Sequence, residues 1–497
     1  MELPETPSDW ILAFNQQSSS IIQNVRDIGA LIRMEAFSFD RMEVRLLDAS
    51  ETSVGTITNA GAALRRENID WFLALSGNGE GVGLPGGFSL SLETVDEAQG
   101  FTGRVDIEDW AFSELIDLAG LSAFEQAESM SFTTSLSLVS RADTGLQEVG
   151  LTLTSENDQS FALFNDELQI SDIDIDLTYL PEEDSLIIQS LDLQSNLLSG
   201  EFEGQITNAL TPNELHAMDL SSDSFVADFT PYFPQAWSFQ DGQVLATISD
   251  DFQVFAIERA SMIYGPLRFS AMGELDLDVT SQDGEFPFAL DVSAEAVGET
   301  SKETVLSFWP ETLGDGGRRF VRDRLETGTL TGATAVLSLK PDSRAQGFLR
   351  DEDLNVNFSF REGRVRFLTD MPPVENAVGT GRLTGNSFRA DVSSATYDDW
   401  TISQGRFDFP ELNPRGKDFI VTAEGRGPAV SILRQLSNSR VRLQENTGFD
   451  PERVSGVATA SLRFQRRSTG QVPFEDTQLQ VSATIEDAGL ENVLQKL

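Results

Sequence analysis

The chain has no cysteine and a single histidine, His216. Without thiols there is no disulfide framework, no thiolate nucleophile and no Cys-based metal site. One imidazole without Cys cannot build a zinc site of the usual kind, and no Ser sits in a G-x-S-x-G elbow that would make it a nucleophile beside that His. His216 therefore reads as a capping or helix-surface side chain. Basic residues are also scarce, 35 against 80 acidic, for a formal charge of −45. That field repels phosphate backbones, so nucleic acid is excluded as a partner. Flat adhesion to an anionic bilayer, which needs clustered Lys and Arg, is disfavoured as well. The acidity serves solubility.

Tyr and Trp are few, 4 and 6, whereas Phe numbers 34. Phe brings large apolar area with no polar tip to satisfy, which suits a surface that meets hydrocarbon. No secretory signal or membrane-spanning run is visible: Met1 to Pro7 has neither a basic stretch nor an apolar core. The first residues read as a linker and Gly489 to Leu497 as a helix stopped mid-pattern, so we expect this chain to be part of a larger one whose N-terminal membrane anchor lies outside it.

What is present is alternation. Met42, Val44 and Leu46 alternate with charged neighbours, as do Ile173, Ile175 and Leu177 with Asp172, Asp174 and Asp176, and Leu275, Leu277 and Val279 with Glu274, Asp276 and Asp278. Leu136 and Leu138, Val365 and Phe367, Phe407 and Phe409, and Leu479 through Ile485 repeat the pattern. Period two puts one sheet face in apolar surroundings and the other in water. Turn chemistry falls between runs at Gly77-Asn78-Gly79, Asp241-Gly242, Asp283-Gly284, Glu362-Gly363 and Thr384-Gly385-Asn386. Helical periodicity is confined to a first element capped by Ser8, from Trp10 to Ile32, and to islands at Trp110 to Leu121, after Thr211-Pro212, around Phe320 to Leu325, and from Gly427-Pro428 through Leu436. Helices this sparse cannot cover both faces of a parallel sheet. The expected fold is mainly β: a long twisted antiparallel sheet curved into an elongated groove, with a few short helices.

Charge divides the chain. No Lys or Arg occurs between Arg141 and Arg259, and residues 301–497 carry 25 of the 35 basic residues. The segments are 1–140, an N-terminal helix and β-meander; 141–300, acidic β; and 301–497, β with short helices. Three local patterns have a chemical reading. Asp172-Ile-Asp174-Ile-Asp176 has the look of a cation motif, but on a strand it lacks the Gly turn and bidentate Glu of a calcium loop. Gly81-x-Gly83-x-x-Gly86 matches a dinucleotide fingerprint, yet a strand pattern follows where a helix is required. Paired carboxylates are too frequent to mark a glycosidase. The sequence assigns no catalytic residue, metal or cofactor, and no enzyme is expected.

Two stretches carry a family resemblance. Phe308-Trp309-Pro310 is followed by Arg318-Arg319-Phe320-Val321, Leu325 and Gly328. Gly363-Arg-Val365-Arg-Phe367 is followed by Met371-Pro372-Pro373-Val374, Gly379 and Thr401 to Gly405. With Gly425-Arg-Gly427-Pro428 these resemble segments of AsmA-like proteins of the YhdP type over about residues 300–440, with Phe320 where that pattern usually has Trp. The motif positions are Trp309, Pro310, Arg319, Phe320, Gly328, Pro372, Pro373 and Gly379. The resemblance implies a Gram-negative periplasmic protein, anchored in the inner membrane by a segment absent from this chain. Its folded-over sheet would carry phospholipid toward the outer membrane and contribute to outer-membrane integrity. The implied partners are phospholipid acyl chains, the inner membrane and other envelope proteins. The candidate lining of such a groove is Ile173, Ile175, Leu177, Leu275, Leu277, Val279, Phe358, Phe360, Phe367, Phe388, Phe407 and Phe409. The same alternation also fits a dry-cored envelope scaffold that transports nothing, or a secreted calcium-dependent adhesin.

Overall fold

A computed structural model describes residues 35–47, 53–67, 70–80, 86–95, 99–111, 131–155, 159–163, 166–211, 214–230, 232–251, 253–277, 288–311, 315–343, 347–366, 372–414, 416–438, 450–467 and 477–490. The N-terminal helix expected over residues 8–32, the Asp283-Gly284 turn, Val279 and Phe367 lie outside them. The chain forms two compact units, Met1–Asp228 with Trp237–Ala260, and Phe229–Ala236 with Ser261–Leu497.

The fold is mainly β and antiparallel, as the alternation predicts. The first unit contains β1 (Ala36–Leu47), β2 (Ser53–Glu67), β3 (Asp70–Glu80), β4 (Gly87–Val95), β5 (Gly100–Ala111), β6 (Ser131–Arg141), β7 (Gly145–Ser155), β8 (Gln159–Leu163), β9 (Asp166–Leu180), β10 (Ser185–Ser195), β11 (Leu198–Thr207), β12 (His216–Ala227) and β13 (Trp237–Ile248). It also takes β14 (Val254–Tyr264) as far as Ala260. From β1 to β13 successive strands pair antiparallel, except that β9 pairs with both β7 and β8.

The pairing register aligns the apolar positions. One row runs from Phe39 through Ala62, Leu75, Leu90 and Val105 to Leu136. It continues through Leu151, Leu177, Ile188, Gly204 and Leu220 to Val244, without a charged residue. Cross-strand neighbours of this kind are the stabilising unit of a sheet. Small clusters thicken the face, with Phe132, Leu153 and Ile170 packed against Ile173, Ile175 and Leu193.

The second unit is a meander of β15 (Leu267–Asp276), β16 (Ala289–Ser301), β17 (Leu325–Leu339), β18 (Leu354–Val365), β19 (Val374–Thr384), β20 (Phe388–Tyr397), β21 (Trp400–Phe409), β22 (Asp418–Pro428), β23 (Val454–Arg467) and β24 (Gln478–Leu490). Each pairs antiparallel with the next, and β24 pairs only with β23 in the described ladders. Three helices occur among the described residues: α1 (Lys302–Ser307), α2 (Asp315–Arg324) and α3 (Ala429–Asn438). Ser301 caps α1 by accepting the Thr304 N–H at 3.4 Å.

Several turn and helix expectations are corrected. Trp110 is the penultimate residue of β5, and residues 112–121 are outside the described set. No helix surrounds His216, which opens β12; its ring is buried, with Nδ1 2.7 Å from the Asn208 carbonyl. Leu325 begins β17 instead of ending a helix. Of the four described turn motifs, only Thr384-Gly385-Asn386 is a turn, closed by the Ser387 carbonyl accepting the Thr384 N–H. Gly77-Asn78-Gly79 lies within β3, Asp241-Gly242 within β13 and Glu362-Gly363 within β18. Asp241 and Glu362 have φ of +50° and +57°. Residues that tolerate left-handed backbone serve a mid-strand β-bulge as readily as a hairpin.

Such irregularities cross the second sheet on neighbouring strands. Register shifts fall between Val297 and Thr300, Leu330 and Gly332, Phe360 and Gly363, Glu375 and Val378, and Ile402 and Gln404. Each bulge bends its strand and increases local twist.

Candidate functional site: an apolar cavity on the second sheet

One apolar row spans all ten strands of the second meander: Phe269, Ala296, Ala333, Phe358, Gly381, Ala390, Phe407, Val421, Phe464 and Leu479. A parallel row holds Leu330, Phe360, Gly379, Val392, Gly405, Ala423, Leu462 and Val481. Glycines alternate with Phe for a steric reason. The Phe358 ring lies over Gly381 and the Phe360 ring over Gly379, each occupying the space a Cβ would need. The rings consequently lie along the sheet and form a low aromatic pavement. Phe358 stacks on Phe388 at 6.4 Å, Phe407 meets Phe409 at 4.9 Å, and Phe409 meets Phe419 at 5.2 Å.

The reverse face carries the charge. Arg361 pairs with Glu299 at 2.6 Å, Arg364 and Arg366 with Glu326 at 2.8 and 2.7 Å, Arg406 with Asp391 at 2.6 Å, and Arg426 with Glu486 at 2.6 Å. Hydrogen bonds from Arg366 hold the Glu326 carboxyl below the usual carboxylate range. These pairs are solvated, so they set which face is wet and add little stability.

Over the apolar face sits the pair α1–α2, which contains the Trp309-Pro310 and Arg318-Arg319-Phe320 motif. It is fixed at two aromatic points. Phe308 contacts Phe269 and Tyr264 at 5.2 and 5.1 Å, and Phe320 stacks on Phe407 at 5.3 Å, 25° from parallel. The connection is braced by Arg318, whose Nε donates to the Trp309 carbonyl at 3.2 Å and whose Nη2 lies 3.6 Å from Glu311. The Glu311 N–H donates to the Tyr232 carbonyl at 3.1 Å.

Between helices and sheet lies a cavity of about 580 Å³. It is lined by Trp309, Pro310, Phe320 and Val321 from the helical segment, by Gly328, Leu330 and Ala333 of β17, by Phe358 and Phe360 of β18, and by Phe388 and Phe407 of β20 and β21. That volume is within the roughly 300–1,000 Å³ of small-molecule sites. By contrast, α3 seals its stretch of sheet. Ala429 and Ala458 are fully inaccessible, and Trp400 and Val454 are buried with them. The Trp400 Nε1–H donates to the Pro428 carbonyl at 3.2 Å. One helix on this face makes a dry core; the helical pair leaves a hollow.

The expected lining residues thus fall in three places. Phe358, Phe360, Phe388 and Phe407 line the cavity, and Phe409 continues the pavement beside them. Leu275 pairs with Leu290 at the far end of β15, and Leu277 follows that strand. Ile173, Ile175 and Leu177 are on the apolar face of the first unit. Of the family-motif positions, Trp309, Pro310, Phe320 and Gly328 border the cavity, Gly379 underlies Phe360, and Arg319 is exposed on α2. Pro372 and Pro373 lead into β19, half-buried. Alternation alone missed the Gly–Phe cross-strand pairing and the contribution of Val374, Ala377 and Val392; small residues carry no periodic signal of their own.

The other motifs take their bland readings. Asp172, Asp174 and Asp176 lie in β9, Asp174 opposite Asp192, and no group of three or more His, Asp or Glu is arranged to hold a metal ion among the described residues. Gly86 leads into strand β4, with no helix following. Among the described residues no helix is long and apolar enough to cross a membrane.

No protein-family model, curated protein or solved structure matches this chain.

Proposed function

We propose that this protein is a lipid-carrying segment of a Gram-negative envelope protein of the AsmA-like, YhdP type, without enzymatic activity. Acyl chains lie along the apolar sheet face, and phospholipid moves along it between inner and outer membranes. The observation that carries this reading is the cavity beneath α1–α2: about 580 Å³ of hollow on an uncharged face where a dry core could have formed, as it does beneath α3. Burial of each methylene contributes about 0.8 kcal/mol. Because the rows present similar side chains strand after strand, a chain held this way slides between near-equivalent positions. In the intact protein a membrane anchor outside this chain would hold it at the inner membrane, with other envelope proteins as partners. Native mass spectrometry of gently purified protein tests the proposal. Co-purifying phospholipid, or stoichiometric uptake of labelled lipid by stripped protein, is the expected result; protein that is lipid-free and stays so overturns it.

A further inference from the structure

Two strands have one partner each in the described ladders, and their edges are built differently. β1 pairs with β2 and β24 with β23, so each offers a row of backbone donors and acceptors. Folded proteins blunt such edges with charges and bulges. β1 is blunted. It carries Asp40, Arg41, Glu43 and Arg45, its register shifts on both sides of Met42, and Arg41 is left-handed at φ +59°. β24 is not. From Gln478 to Ile485 it has no charge and no proline, and its register with β23 is unbroken from Gln478 to Glu486. The irregularity comes only afterwards, where Asp487 has φ +52°.

The electrostatics at this edge permit contact between copies. Residues 301–497 hold 25 basic and 27 acidic side chains, whereas residues 1–300 hold 10 and 53, so the repulsive field arises mainly from the earlier part of the chain. The straight stretch is also complementary to itself. Ser482 is at its centre, so an antiparallel copy in that register sets Leu479 opposite Ile485, Val481 opposite Ala483, Gln480 opposite Thr484 and Gln478 opposite Glu486. Cross-strand partners share a face; apolar therefore meets apolar, and no like charges face one another. We infer that β24 is a dimerisation edge: two copies of this chain join β24 to β24, antiparallel, about a twofold axis at Ser482. Such an isologous contact closes on itself. It carries the rows that end at Leu479 and Val481 into the second copy, whatever those rows bind. A single strand pair belongs to the small interfaces, below about 1,200 Å², so the association is reversible and micromolar or weaker.

Sedimentation velocity of the full chain at increasing concentration tests it. A reversible monomer–dimer equilibrium is expected, and a monomer at every concentration overturns the inference. Ser482 is exposed. Ser482→Lys or Ser482→Glu sets like charges opposite each other and should weaken the dimer about fivefold, while an equimolar mixture of the two variants should restore it. A dimer indifferent to both changes, or no recovery in the mixture, overturns the inference. The chain has no cysteine of its own, so crosslinking reads the register. On mild oxidation with copper phenanthroline, Ser482→Cys should give a disulfide-linked dimer and Thr484→Cys should not, whereas Thr484→Cys mixed with Gln480→Cys should. Equal crosslinking of Ser482→Cys and Thr484→Cys, each alone, overturns the register. Should a charged variant lose the circular dichroism of the β fold, the cysteine series decides: the stated pattern supports the edge, and any other overturns it.

Discussion

The ring of Phe358 occupies the space above Gly381 on the neighbouring strand, where any side chain would collide with it. The two residues are direct partners in the β18–β19 register, so the missing Cβ on one strand is what lets the aromatic of the next lie down. Gly381→Val should therefore force Phe358 off its rotamer. We expect a loss of about 1–3 kcal/mol in urea unfolding, with Phe358→Ala in the same background recovering part of it. Additive losses would mean the two positions are uncoupled.

The two faces of the second sheet should respond oppositely to charge. Ala390, half-buried between Gly381 and Phe407, is on the apolar row. Ala390→Asp should abolish lipid uptake by burying an unpaired carboxylate. Arg406→Glu on the reverse face breaks an exposed pair with Asp391. It should cost less than about 1 kcal/mol and leave uptake intact. Equal effects of both substitutions would contradict the sidedness argued here.

Docking of α2 depends on Phe320 over Phe407. Phe407 is buried, and Phe407→Ala should cost about 3–5 kcal/mol. Phe320→Ser should loosen the helix from the sheet at smaller cost, read as faster proteolysis near Arg322 and Arg324 with the rest of the second unit still protected.

Acid should unfold the chain partly through two carboxyls. Burial raises the pKa of Asp353, but hydrogen bonds from Arg350 and Ser343 outweigh it and hold the group below the usual range. Asp184 is likewise raised by burial and lowered further by Thr211, Leu210 and Tyr179. A depressed native pKa stabilises the fold at pH values above the unfolded one, about 3.9, and that contribution is lost as the pH falls through the native value. Asp353→Asn and Asp184→Asn should lower stability at neutral pH and flatten its fall below about pH 4, measured by denaturation across pH.

Left-handed backbone at Asp241, φ +50°, predicts that Asp241→Gly is neutral to mildly stabilising and that Asp241→Val costs about 1–2 kcal/mol, again by chemical denaturation. A valine as stable as wild type would argue against the left-handed conformation.

How much of this was legible follows from which physics acts locally. Strand content was, because Ile173, Ile175 and Leu177 or Phe407 and Phe409 alternate under the same two-residue repeat that the ladder imposes. α2 and α3 were, through Phe320 and through Ala429, Ile432 and Leu433 on one face. Turn chemistry was ambiguous: Glu362-Gly363 satisfies a bulge and a hairpin equally, only the partner strand decides, and Asp241-Gly242 sits inside β13 in unbroken register with β12. His216 looked helical because Thr211-Pro212 imitates a helix start, whereas Asp184 binds the Thr211 hydroxyl and N–H and directs the chain into β12.

The aligned register shifts of the second sheet have one more consequence. Phe358 and Phe360 face the cavity from even positions of β18, whereas Gly363 and Val365 face it from odd ones; β20 does the same with Phe388, Ala390 and Val392 before the break and Ala395 after it. Each inserted residue resets the odd–even phase along a common crease, so the greasy side stays continuous although the sequence pattern reverses. Removing Glu362 alone would restore plain alternation from Phe358 to Val365, leaving Gly363 and Val365 toward the cavity and Arg364 toward water while erasing this strand's share of the crease. A deletion one residue long at the bulge would therefore straighten the strand without turning its greasy side to water.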